Sequence, residues 1–115
     1  MATLSTQSFD EAGNDLTMSA ASAGGDEFSN DGRKFLVIYN GDASSTDVTI
    51  TAQNTSFEDE RYGNSVKEDH TLTVSAGNTA IMGPFPTKAF NDSNNNAQVT
   101  YTSVTSLEVA VVKES

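Results

Sequence analysis

One histidine, His70, and no cysteine bound the nucleophilic and metal chemistry open to this 115-residue chain. Without thiols there is no disulfide scaffold, no thiol nucleophile and no Cys-based zinc site. A Ser–His–Asp arrangement needs an imidazole held between a hydroxyl and a carboxylate. Ser and Asp are abundant here, but no Gly-x-Ser-x-Gly elbow accompanies them. His70 opens an alternating segment and reads as an ordinary strand residue. Carboxylates gather in Phe57-Glu58-Asp59-Glu60-Arg61 and in Glu68-Asp69. Two carboxyls roughly 5–9 Å apart suffice for glycoside hydrolysis. No tryptophan and only three tyrosines are available to floor a sugar cleft, so a solvated acidic loop explains the segment more simply.

Calcium is the most credible metal. Asp92-Ser93-Asn94-Asn95-Asn96 offers oxygens at alternating positions, as an EF-hand loop begins. Ala97 stands where that loop needs glycine and Ser103 where it needs a bidentate glutamate, which favours a plain Asx-rich turn. Asn54-Thr55-Ser56 and Asn91-Asp92-Ser93 match the glycosylation sequon and mark surface loops. Asp31-Gly32-Arg33-Lys34 could form a phosphate nest. A hairpin turn entering a strand is the simpler account. The residues therefore predict no catalytic set, no metal ligands and no cofactor site, and an enzyme is not expected.

Charge narrows the partners. Sixteen acidic and six basic residues leave a formal net charge of −10. Nucleic-acid binders need a cationic footprint, and an anionic membrane surface repels such a chain. A solubility coat, or a specific basic partner, remains. The opening Met1-Ala2-Thr3-Leu4-Ser5-Thr6 has neither a basic region nor an apolar core, so neither a signal peptide nor an anchor is expected there. The expected setting is a cytoplasm, or transport out of it by something other than a signal.

The elements that must position these groups are strands. Fifty-five of the 115 positions are Ser, Thr, Asn, Asp or Gly, residues that favour turns and penalise helices. Clusters such as Phe35-Leu36-Val37-Ile38-Tyr39 and Leu107-Glu108-Val109-Ala110-Val111-Val112 argue against disorder. Val48, Ile50 and Ala52 alternate with Thr49, Thr51 and Gln53, the pattern of a half-buried antiparallel strand. Leu16 to Ala20 alternates in the same way over a shorter span. Lys34 to Tyr39 is apolar almost throughout, which points to burial on both faces or to a central place in a sandwich. Residues 54–69 read as a long surface loop with Phe57 and Tyr62 tucked beneath it. His70 to Val74, Thr79 to Met82, Ala97 to Tyr101 and Ser106 to Lys113 complete the set. The prediction is all-β: a single-domain antiparallel β-sandwich or small barrel of about seven to eight short strands. Residues 1–15 form a polar arm or edge strand and residues 16–115 the sandwich. Phe35, Val37, Ile50, Leu72, Val99, Leu107 and Val109 are the expected core.

Several segments together resemble a known group. Phe28-Ser29-Asn30-Asp31-Gly32-Arg33-Lys34-Phe35-Leu36-Val37, followed by Asn40-Gly41, resembles the opening of small β-rich virion proteins of tailed bacteriophages. Val48-Thr49-Ile50, Met82-Gly83-Pro84-Phe85, Phe90-Asn91-Asp92 and the run from Val99 to Leu107 are similar to later segments of that group, in the same order. The acidic stretch from Glu58 to Asp69 falls outside the pattern. The resemblance implies a head decoration (cement) protein. Such a protein is made in the host cytoplasm, sits on the capsid surface of the virion as a homotrimer, and has the phage major capsid protein as its partner. No nucleic acid, membrane or small-molecule substrate is implied. A carbohydrate- or receptor-binding module of a phage fibre or tail is the alternative, and it calls for exposed aromatics or a calcium site. A head-completion or tail-joining role is a third.

Overall fold

Alternation of apolar and hydroxyl side chains produces strands because the pleat sends successive residues to opposite faces. A computed structural model describes residues 2–13, 15–53, 56–59, 63–66 and 69–114, the strands at 56–59 and 63–66 by backbone alone. In chain order the strands are β1 (Ala2–Thr3), β2 (Thr6–Phe9), β3 (Ser19–Ala20), β4 (Asp26–Ser29), β5 (Lys34–Asn40), β6 (Thr46–Ile50), β7 (Ser56–Asp59), β8 (Gly63–Val66), β9 (His70–Val74) and β10 (Thr79–Met82). One helical turn, α1 (Thr87–Phe90), precedes β11 (Asn96–Tyr101) and β12 (Leu107–Glu114).

Two mixed sheets pack face to face as an all-β sandwich. The first runs β1-β4-β11-β6-β9. The second runs β10-β5-β12-β2, with β3 also on β12, and β7 pairs with β8 in a separate hairpin. The expected antiparallel sandwich is present with two parallel pairs at its edges. β1 joins β4 and β2 joins β12 in parallel, while the remaining pairs are antiparallel. The strand number also exceeds the expected seven to eight, because pairs as short as Ala2–Thr3 and Ser19–Ala20 carry no periodic signal. For the same reason the strand expected over Leu16 to Ala20 shrinks to Ser19–Ala20. Within the expected loop at 54–69 lies the β7–β8 hairpin. Tyr62, and the side chain of Phe57, lie outside the described residues.

The core contains Phe28, Leu36, Ile38, Val48, Ile50, Val99, Leu107 and Val109. Ile50, Val99, Leu107 and Val109 are buried as the alternation predicts. Phe35 and Val37 are not. β5 is central in its sheet, between β10 and β12, yet it buries Leu36, Ile38 and Asn40 while Phe35 and Val37 stay half-buried on the outer face. The continuous apolar run from Phe35 to Tyr39 has no period-2 mark to say which face turns inward. Leu72, on edge strand β9, is half-buried against the core.

The N-terminal residues tie the two sheets together. β1 lies at the edge of the first sheet and β2 on the second. Between them Leu4 is buried, with its N–H donated to the Glu27 carbonyl at 2.8 Å. This crossing closes one side of the sandwich. The opposite side is bounded by β9 and β10.

Candidate functional site

The segments that carry chemistry in the sequence meet at one end of the sandwich. Phe28 lies in β4, Phe85 follows β10 and Phe90 ends α1. Their rings pack with centroids 5.8 Å apart for Phe28–Phe85 and 6.2 Å for Phe85–Phe90. All three are buried. Beside them the Asn30 amide nitrogen donates to the Asn91 side-chain oxygen at 2.7 Å and to the Phe85 carbonyl at 3.1 Å. Asn91 returns a bond from its own amide to the Asn30 carbonyl at 2.9 Å. Three separated segments are thereby clamped by aromatic packing and a closed set of amide bonds.

Gly83 lets this clamp close. Its φ is +122°, and a Cβ there would stand 2.7 Å from the Lys34 carbonyl oxygen. Only glycine accepts both conditions cheaply.

The Asp31–Lys34 turn is a crossing rather than the expected hairpin, since β4 belongs to the first sheet and β5 to the second. Two of its N–H groups are already used. Gly32 donates to Asn30 Oδ1 at 3.1 Å and Arg33 to Asp31 Oδ1 at 3.0 Å. Consecutive Asx turns thus fill the positions that a phosphate would occupy.

The Asp92 loop is likewise closed by its own backbone. Asp92 Oδ1 accepts N–H bonds from Asn94 and Asn96 at 2.8 and 3.0 Å, and Oδ2 accepts one from the Gln98 amide at 2.7 Å. The Asn96 backbone bond, then Gln98 and Asn94, hold its carboxyl below the ordinary 3.8 against a smaller opposing effect of burial. A cation here would have to displace these donors. Among the described residues no group of three or more His, Asp or Glu side chains is placed to hold a metal. The Asn91 sequon amide is committed to the clamp. Asn54 lies outside the described residues.

His70 begins β9, is exposed, and packs its ring on Phe90 at 5.1 Å. No hydroxyl or carboxylate among the described residues is hydrogen-bonded to it. Asp69 Oδ1 accepts the Ala52 N–H at 2.7 Å, capping the end of β6. The side chains of Glu58, Asp59, Glu60 and Glu68 lie outside the described residues.

Sequence reasoning missed the buried polar groups. Asp26, fully buried, accepts N–H bonds from Ala2 at 3.3 Å and Ser22 at 3.2 Å, and the Tyr101 hydroxyl at 2.7 Å. Burial, then that hydrogen bond and the Asp26 charge, push the Tyr101 phenol well above its ordinary 10.0. Buried Asn40 donates to the carbonyls of Val74 and Ser44 and accepts the Asp42 N–H. The one available signal for Asn40 was a polar residue closing an apolar strand. Asp26 follows Gly25 in a segment with no apolar alternation and gave none.

With this geometry in view, no protein-family model, no curated protein and no solved structure matches the chain.

Proposed function

We propose that this chain is a structural protein of a tailed-phage virion, a head decoration (cement) protein that binds the assembled shell as a homotrimer and stabilises it. The single observation that carries the reading is the coincidence between resemblance and framework. Phe28, Asn30, Phe85, Phe90 and Asn91, drawn from three of the similar segments, are the residues that make the clamp. Shared residues at a framework point to a shared scaffold. Asn30, Asp31, Asn91 and Asp92, polar groups singled out in the sequence, are engaged in holding that scaffold, which suits a protein whose work is to bind.

The receptor-binding alternative calls for open aromatics. Tyr101 is spent on Asp26, while Tyr39 is 38% exposed. Among the described residues only Phe9 and Tyr39 are open aromatics, and they stand on different strands, which gives that reading less support.

Cementing acts by linkage. A protein that binds the lattice and not its dissociated subunits shifts the shell's equilibrium by mass action. The test compares heat-induced DNA release from particles of the encoding phage with and without the protein. Release at a higher temperature with the protein bound is expected, and equal release at full occupancy overturns the proposal. Binding should persist in 1 M salt, where the screening length falls from about 10 Å to about 3 Å, because a −10 protein gains little from charge unless the shell is basic.

A further inference from the structure

Four of the six basic residues, Arg33, Lys34, Lys88 and Lys113, lie in the described parts of the chain. Among the described residues none of them forms an ion pair, although the chain carries sixteen acidic residues. Three of the four, Arg33, Lys34 and Lys113, come together where β5 begins and β12 ends. Lys34 and Lys113 are register partners, so both side chains lie on one face of the second sheet, the face of Leu36 and Val111. Lys34 is only 7% exposed. Like charges directly opposite on adjacent strands repel, and a buried ammonium without a counter-ion is costly. An anion brought to this end relieves both.

Arg33 and Lys113 also line an open groove of about 480 Å³. Phe35 and Pro84 supply apolar surface in it, the first half-buried and the second exposed. Asp31 and Glu114 complete the wall. Asp31 Oδ1 already accepts the Arg33 N–H at 3.0 Å, which ties that carboxylate to its own turn. The Arg33 guanidinium and the Lys113 ammonium remain open to a ligand, and a planar fork beside a point charge suits an oxyanion.

We propose that this groove binds a singly charged carboxylate with a short apolar body, the carboxylate held by Arg33 and Lys113 and the apolar part on Phe35 and Pro84. Charge decides between carboxylate and phosphate. Asp31 and Glu114 balance the two cations of the groove, and Lys34, opposite Lys113, leaves a surplus of one positive charge. A carboxylate matches that surplus. A phosphate monoester, at about −1.5 to −2, exceeds it on a chain already at −10. The Asx turns also deny a phosphate the Gly32 and Arg33 N–H groups. Such a carboxylate is a free acid or the C-terminus of a peptide ending in an apolar residue, and both present the same chemistry. The site stands apart from shell binding: its failure leaves the function proposed above untouched.

Titration of the full chain with hexanoate, followed by backbone amide chemical shifts, tests it. Saturable shifts at residues 31–35 and 113–114 are expected, with a dissociation constant of about 1 mM. Hexanamide, the same shape without the charge, should not bind, and inorganic phosphate should bind more weakly than hexanoate. N-acetyl-leucine carries a free terminal carboxylate and separates the two sources. Tighter binding than hexanoate marks a chain terminus, weaker binding marks a free acid, and either upholds the site. Arg33→Gln and Lys113→Gln should each weaken hexanoate by about tenfold, while Lys88→Gln, on α1 outside the groove, should leave it unchanged. The absence of saturable shifts overturns the proposal. Equal binding of hexanoate and hexanamide, tighter binding of phosphate, or hexanoate binding that withstands both Arg33→Gln and Lys113→Gln does so as well.

Discussion

Asn30 and Asn91, 61 positions apart, bond to each other in both directions: side-chain amide to side-chain oxygen at 2.7 Å, and amide to backbone carbonyl at 2.9 Å. The pair locks the crossing between the two sheets to the end of α1. Asn30→Ala leaves the Phe85 carbonyl and the Asn91 oxygen without their donor, and unfolding in denaturant should show a loss of about 1–3 kcal/mol. A loss within 0.5 kcal/mol, roughly that of a neutral surface change, would mean the clamp contributes nothing.

Neighbouring positions on β5 should respond differently. Leu36 is fully buried and Val37 only half so. Leu36→Ala is expected to cost about 2–5 kcal/mol through the cavity it leaves, and Val37→Ala clearly less. Ile50→Ala should fall in the same range as Leu36→Ala. Equal costs at 36 and 37 would place the inward face of β5 wrongly.

Tyr101 sets the alkaline limit. Its phenol is raised in the fold, chiefly by burial and then by Asp26, so the fold prefers the protonated form. That preference is fully present below the ordinary 10.0 and is lost as pH climbs beyond it. Ultraviolet titration should show one tyrosine ionising only as the protein unfolds. Tyr101→Phe should remove this dependence while costing about 1.5–3 kcal/mol at neutral pH for the bond to a carboxylate.

Asp92 works in the opposite direction on the acid side. Its folded value lies below 3.8, so its stabilising effect is present above that value and disappears as pH falls through the folded one. Asp92→Asn should flatten the acid limb of the stability profile. Because both carboxylate oxygens already accept N–H bonds, millimolar calcium should leave the melting temperature where it was. A rise of several degrees would mean the loop rearranges around the ion.

The all-β fold was legible wherever one face differs from the other. β6 reads directly from Val48 and Ile50 set against Thr49, and the burial follows that alternation. The turns at Asn30-Asp31-Gly32 and Asn91-Asp92 were legible too, because Asn, Asp and Gly bring their own local bonds and tolerate unusual backbone angles. β5 marks the limit of such reading. A continuous apolar run identifies a strand and leaves its orientation open, so only packing against the first sheet chose Leu36 and Ile38 over Phe35 and Val37. Pairings between distant segments were undetermined for a related reason. Nothing near Ala2 announces that its N–H will meet a carboxylate at Asp26, nor near Asn30 that its amide will find Asn91. Local preference acts within a few residues of the chain. Which polar group satisfies which across the sandwich is fixed only when the sheets close and every buried donor must find an acceptor.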